Sequence, residues 1–252
     1  MQAGARRTML SRQILETYDL FRQDPVCTME SVPRQGHCND NTIVTTQKRR
    51  YIVRRLLRDD IDRDFEVWVH QSAYRLEITA ELLLYDADQS VMVFAYLEGE
   101  HKKRLSYADL ARMAGCLFKL HSINVPSSCK PLSMKTLLPD PLTHEVSEAL
   151  AMVRKMPEMY ALCHNDLNPY NIIWMGEEVK LIDFEYAAYT DIYFDLATIC
   201  VEFKLSKAEE AYLLACYFGK RACLKEKLTA YKVLYRAVRD AWFKKNMQGT
   251  AL

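Results

Sequence analysis

An α+β fold in two lobes, a small antiparallel sheet followed by a larger helical part, is what this sequence predicts. Three observations carry the prediction. Strand-like segments crowd the first third of the chain, helical periodicity dominates from Ser106 onward, and one short hairpin pattern is embedded in the helical part. The expected division lies between an N-terminal lobe at 1–95 and a C-terminal lobe at 96–252.

Ser11 to Phe21 places Ile14, Leu15, Tyr18 and Phe21 on one face and reads as an amphipathic helix. Strands are expected at Val26–Val32, Asn41–Thr46, Arg50–Arg55, Ala80–Tyr85 and Ser90–Ala95, interrupted by a helix at Ile61–Gln71. Tyr96 to Glu100 connects the two parts. Ser106 with Asp109 forms an N-terminal cap pair for the next helix. Thr143–Met156, Tyr193–Phe203 and Ser206–Phe218 read as helices. Tyr160–Cys163 is a short apolar strand, and Ile172–Met175 with Val179–Ile182 flank Gly176-Glu177 as a hairpin. Leu228, Tyr231, Tyr235, Val238 and Trp242 then trace one face of a long last helix.

Composition narrows the function classes. The chain has 252 residues, 50% hydrophobic and 27% charged, which suits a globular enzyme. A net charge of +1 leaves no electrostatic footprint for nucleic acid or an anionic membrane. The basic run Lys48-Arg49-Arg50 reads as a solvated hairpin tip. No stretch reaches the length of a membrane span, and Ser11-Arg12-Gln13 stands where a secretory signal would need an apolar core. The eight cysteines show no Cys-x-x-Cys and no zinc spacing with histidine. Cytoplasmic chemistry with reduced thiols, as a monomer or homodimer, is the expectation. Cys38 and Cys163 read as packing residues.

The chemistry concentrates between Cys163 and Glu202. Asp166 is followed five positions later by Asn171, and twelve further on Asp183 opens an Asp-Phe-Glu. A lone Asp in a polar loop is ordinarily a solvated turn residue. Here the order, the spacing and the intervening hairpin agree with one purpose. An Asp beside a substrate hydroxyl accepts its proton, while an Asn oxygen and a second carboxylate are hard ligands for Mg²⁺ on nucleotide phosphates. Asp166, Asn171 and Asp183 are therefore the expected catalytic residues, Asn171 and Asp183 the metal ligands, and ATP with Mg²⁺ the cofactors.

The turn from Gln35 through Gly36, His37, Cys38, Asn39 and Asp40 to Asn41 offers small polar residues whose backbone amides suit phosphate oxygens. An ordinary hairpin is the competing reading. Strand alternation lets only one of Arg54 and Arg55 face the nucleotide; Arg54 is the expected one, oriented by Glu66 from the next helix. The nucleotide is expected in a cleft between the lobes.

Taken in order, GHCNDN, YIVRR, the Glu66 helix, VMVFAYLEGE, LARMAGCLFKLHSI, HNDLNPYNII and LIDFEYAAYTDIYFDLA cover nearly the whole chain. They resemble the choline/ethanolamine kinase group within the aminoglycoside-phosphotransferase-like, protein-kinase-like fold. The resemblance implies Asp166 as catalytic base and Arg54 with Glu66 on the ATP phosphates. It also implies His164 and Asp195 as structural residues bracing the catalytic loop, and the segment around Phe94 and Tyr96 at the adenine.

Only twelve positions separate Asp183 from Asp195, with no Ala-Pro-Glu, so a small alcohol fits better than a polypeptide. A cationic alcohol asks for aromatic faces and an acid. Tyr186, Glu202 and Trp242 match pocket positions of the resembled family, with Asp166 at the hydroxyl; core packing is the competing reading for Trp242. Two departures stand out. Arg239 replaces a family tryptophan three residues before Trp242, and the chain ends ten residues past it. Choline or ethanolamine is the expected acceptor. Thiamine or an aminoglycoside is the alternative, and a nucleotide-binding pseudokinase module is the reading of another class.

Overall fold

The computed structural model describes residues 10–33 and 38–247, without the side chains of 246 and 247; Gln35, Gly36 and His37 of the expected phosphate-facing turn lie outside the described residues, while Asn39, Asp40 and Asn41 of that turn are already in strand. The chain forms two compact units. One comprises Met1–Ile61 and Ala80–Leu97, the other Asp62–Thr79 and Glu98–Leu252.

The first unit is built on an antiparallel sheet of β1 (Val26–Ser31), β2 (Asn39–Thr46), β3 (Arg50–Leu56), β4 (Leu82–Asp86) and β5 (Val91–Ala95), in the order β1-β2-β3-β5-β4. Alternation decides its faces. Val44, Tyr51, Val53, Val91 and Val93 point to one side and bury against Leu15 and Phe21. The expected helix over Ser11–Phe21 is two short pieces, α1 (Arg12–Leu15) and α2 (Asp19–Arg22). The break falls where the Thr17 hydroxyl takes the carbonyl of Ile14 and the Tyr18 hydroxyl donates to Asp86 at 2.8 Å. A polar side chain competing for a helix carbonyl is a local reason to stop. The apolar stripe still does its work, since Leu15 and Phe21 are fully buried.

In the second unit α3 (Arg63–Arg75) starts at an Asp62 cap and runs four residues beyond the expected end. There follow α4 (Tyr107–His121), α5 (Met134–Leu137), α6 (His144–Val153), α7 (Tyr193–Glu202), α8 (Lys207–Phe218) and α9 (Lys225–Met247). The predicted cap pair at α4 is a full capping box between Ser106 and Asp109, and Ser206 with Glu209 makes another at α8. Two ribbons interrupt the helices. β7 (Ile172–Met175) and β8 (Glu178–Leu181) form the expected hairpin, whose turn uses Gly176 at φ +60°. β6 (Tyr160–Cys163) pairs with β9 (Ala188–Asp191), a strand that the pattern did not reveal.

One core runs through this unit, with Leu110, Met113 and Leu117 of α4, Leu196 and Ile199 of α7, Leu213 of α8 and Leu234 of α9 fully buried. Helix α7 is buried along nearly its whole length. That burial makes it a rigid mount for the one carboxylate it carries inward, Asp195.

Candidate active site

Asp195 is fully buried, and its two oxygens accept the backbone amides of His164 and Asn165, each at 2.8 Å. His121 Nε2 stands 3.1 Å from the same carboxylate, and its Nδ1 lies 2.7 Å from the Tyr217 hydroxyl. A buried carboxylate with three donors is satisfied and stiff. Cys163 Sγ shares this neighbourhood, within 4.8 Å of the His121 and Asp195 ligand atoms. It is itself hydrogen-bonded to the Thr190 carbonyl, and burial pushes its thiol well above the usual range. This cluster is a brace.

What it braces is the turn between β6 and β7. Asn165 sits at φ +65°, a left-handed conformation that Asn tolerates better than most residues. Its side chain holds it there, donating to the Tyr186 carbonyl at 3.0 Å and accepting from the Thr190 hydroxyl at 2.8 Å. His164 Nδ1 accepts the Asp166 amide at 3.3 Å, and its Nε2 faces the Ile182 carbonyl at 3.0 Å. Those two contacts fit the Nε2–H tautomer.

Asp166, half-buried, is held by two asparagines. Asn168 Nδ2 donates to Oδ1 at 3.2 Å, and Asn171 Nδ2 donates to Oδ2 at 2.7 Å and to the Asp166 carbonyl at 2.8 Å. Pro169 opens the short 3-10 turn that carries Asn171 back toward Asp166. The backbone closes the arrangement, because the Ile182 amide donates to the Asn171 carbonyl at 3.0 Å and so ties the turn to the strand end before Asp183. Asp183 stands in the left-handed region at φ +70°, ψ +67°. A non-glycine residue held there signals a position over-determined by its surroundings. Burial raises the Asp166 carboxyl above its ordinary value, and the Asp183 charge adds to the rise. The hydrogen bonds from Asn168 and Asn171 oppose it. The sequence-predicted Asp166, Asn171 and Asp183 thus lie within one electrostatic neighbourhood.

The expected acceptor residues also meet in part. Trp242 Nε1 donates to the Tyr186 hydroxyl at 3.1 Å. Trp242 is half-buried and outside the core that Tyr231, Leu234 and Tyr235 of α9 join, so the apolar stripe leaves the core before it ends. Glu202 Oε1 accepts from the Tyr235 hydroxyl at 2.9 Å and lies 3.2 Å from Arg239 Nη1.

Glu66 is buried on α3 and pairs with Arg63 at 2.6 Å; Arg63 also lies 3.6 Å from Glu185. His70 of α3 meets the Phe184 ring edge-on. Helix α3 is therefore linked directly to the Asp183–Glu185 segment.

In the first unit Arg54 is buried where Arg55 is half-buried, and its Nε donates to Asn41 Oδ1 at 3.2 Å. The guanidinium stands over the Phe94 ring at 5.4 Å, and Arg50 covers the Tyr96 ring at 4.1 Å. Asn39 is buried at the start of β2. Asn165, Asn168 and Arg63 were not singled out from sequence, and Asn41 and Tyr235 were read only as a turn residue and as part of the last helix's apolar stripe. For Asn168 the signal was present, an Asn immediately before a Pro two residues after Asp166.

A family model described as a phosphotransferase enzyme family matches residues 31–231. Among curated relatives, a protein LicA of Haemophilus influenzae is 25% identical over 205 residues, which are 72% of this chain and 60% of that protein. The chain thus matches less than two thirds of that relative's length. A thiamine kinase of Escherichia coli O157:H7 is 30% identical over 194 residues, 71% of this chain and 66% of the relative. Among solved structures, the choline kinase LicA from Streptococcus pneumoniae superposes with a TM-score of 0.79 at 20% identity, covering 95% of this chain and 92% of that one. A LicA structure in complex with AMP gives 0.74 at 20% identity, covering 95% and 91%.

Proposed function

Because the chain belongs to the phosphotransferase enzyme family, we propose that it is an ATP- and Mg²⁺-dependent kinase for the hydroxyl of a small amino-alcohol. Choline and ethanolamine are the first acceptors. The observation that carries this reading is the hydrogen bond from Asn171 to Asp166, with the Asn171 carbonyl tied to the amide of Ile182 immediately before Asp183.

The donor set fits the metal. Asn171 Nδ2 serves two acceptors on Asp166, so that atom is the amide nitrogen and Oδ1 is turned to the other side. Oδ1 with the Asp183 carboxylate gives hard oxygens, without the thiolates or imidazoles that would favour zinc. Asn171 and Asp183 would hold Mg²⁺. When bound, that ion neutralises charge on the nucleotide phosphates. Asp166 orients the acceptor hydroxyl and takes its proton on a carboxylate oxygen. Asn168 and Asn171 fix the plane of that carboxylate, and Asp195 fixes the backbone from which it projects. Since the transition state of phosphoryl transfer is largely loose, positioning and charge neutralisation carry most of the acceleration.

For the nucleotide, Arg54, oriented by Asn41, is the cation for the phosphates, with Asn39 two residues before Asn41 on β2. Phe94 and Tyr96 are the adenine-side residues, and Glu66 supports the site from α3. For the acceptor, Tyr186 and Trp242 supply aromatic faces and Glu202 the acid. The thiamine kinase relative supports thiamine as the second acceptor to consider. A pseudokinase role is disfavoured by the presence of Asp166, Asn171 and Asp183 together.

The test is an ADP-release screen with Mg-ATP over choline, ethanolamine, thiamine and an aminoglycoside, with Asp166→Asn as control. Turnover of an amino-alcohol that the control lacks is the expected result. Nucleotide binding with no phosphorylated product from any acceptor overturns the kinase reading.

A further inference from the structure

We propose that Arg239 is a specificity-determining residue that sets the acceptor pocket against quaternary ammonium groups and toward amino-alcohols whose nitrogen carries N–H bonds. The proposal rests on the kinase reading above and chooses between its two leading acceptors.

Tyr235, Arg239 and Trp242 follow one another on α9 at four- and three-residue spacing, so they share a helix face. Trp242 reaches Tyr186, the residue three positions after Asp183. Tyr235 reaches Glu202 at the end of α7, and the charge of Asp166 is among those that hold the Tyr235 phenol above its ordinary range, after burial and Glu202. Arg239 therefore shares the Glu202 carboxylate with Tyr235, one turn from the Trp242 that reaches Tyr186.

Its guanidinium is committed on both edges. Nη1 lies 3.2 Å from Glu202 Oε1, while Nε and Nη2 lie 3.2 and 3.0 Å from Asp240 Oδ1. A cation is thus fixed against the one carboxylate expected to attract the acceptor's positive nitrogen. With both edges already on acids, Arg239 is poorly placed to receive an anionic group from a substrate.

The two kinds of nitrogen respond differently to that arrangement. A quaternary ammonium donates no hydrogen bond; it is held by aromatic faces and by the field of a nearby acid. A guanidinium against Glu202 offsets that field and repels the incoming charge. A primary ammonium can still donate a directional, charge-assisted bond to a carboxylate that already has a partner, because a carboxylate offers about four acceptor positions. Among the described residues, both partners of Glu202 engage Oε1. Oε2 is the oxygen such a bond would use.

The experiment is calorimetric titration of choline and of ethanolamine into the full chain, for the wild type, Arg239→Met and Arg239→Lys. The wild type is expected to bind ethanolamine more tightly than choline. Arg239→Met is expected to gain about three- to tenfold in choline affinity, the scale of one partly exposed charge interaction, with a smaller change for ethanolamine. Arg239→Lys keeps the charge and is expected to show no gain. Should the Met variant not fold, Arg239→Gln removes the same charge and is expected to repeat the gain. Choline affinity unchanged in the uncharged variants, a wild type that prefers choline, or no binding of either alcohol overturns the proposal. The kinase reading fails on a separate measurement, the absence of Asp166-dependent turnover in the acceptor screen.

Discussion

Asn171 Nδ2 stands 2.7 Å from Asp166 Oδ2, so the residue expected to present an oxygen to the metal also fixes the carboxylate expected to receive the proton. One amide thereby couples two tasks. Its nitrogen side orients Asp166, and its oxygen side is left for a cation. Asn171→Ala removes both functions together. The expected outcome is a 10- to 100-fold fall in apparent Mg²⁺ affinity, the scale for lost metal-site support, accompanied by a lower kcat. Initial rates measured across a Mg²⁺ series check it.

Asp195 satisfies two backbone amides in a turn that includes a left-handed Asn165. Asp195→Asn turns an N–H toward one of those amides. About 1–3 kcal/mol of stability should be lost, the desolvation penalty of a buried donor without its acceptor. Urea unfolding followed by circular dichroism measures it, and a parallel loss of kcat marks the coupling to the Asp166 turn.

Much of this was legible in the sequence because it is local. The capping boxes at Ser106 and Ser206, the β7–β8 hairpin and the Asp166–Asn171 offset each depend on residues a few positions apart. What escaped depends on distant partners. Strand β9 is four residues long, and among the described residues it pairs with β6 alone, so it shows too little alternation to distinguish it from a loop. Arg63 looked like any first-turn charge on a helix, and its contact with Glu185 exists only in three dimensions. At the break between α1 and α2 the local Thr17 contact is joined by Tyr18 reaching Asp86, sixty-eight residues away.

The buried ion pair of Lys227 and Asp191 is the clearest such case. Lys227 is 1% exposed, donates to Asp191 and to the Pro157 carbonyl, and lies 4.9 Å from the Tyr193 ring centroid. Asp191 also takes the amides of Met159 and Tyr193. Lys227→Met strands that carboxylate in the core and should lower unfolding free energy by about 3–5 kcal/mol. Chemical denaturation checks this, and kcat measured well below the unfolding transition should be nearly unchanged.

Acid sensitivity follows from the Asp166 carboxyl. Its folded value is raised, chiefly by burial, and only the ionised form accepts a proton. As pH falls, the base is therefore lost sooner than an ordinary carboxylate near 3.9 would be. The sign for stability is opposite, since the fold binds this proton more tightly than the unfolded chain and ionisation above that pKa weakens it. The acid limb of kcat/KM should have its midpoint above the ordinary carboxylate range. A rate flat down to about pH 4, with the protein still folded, would remove Asp166 from the role of base.

The most direct test of the account is Asp166→Asn, with Mg-ATP affinity and kcat measured side by side on the acceptor that the screen identifies. Loss of a general base predicts kcat reduced by roughly 10²–10⁴, with nucleotide affinity little changed, because Asp166 is assigned to the acceptor and not to the phosphates. A variant that keeps the full kcat of the wild type would contradict it.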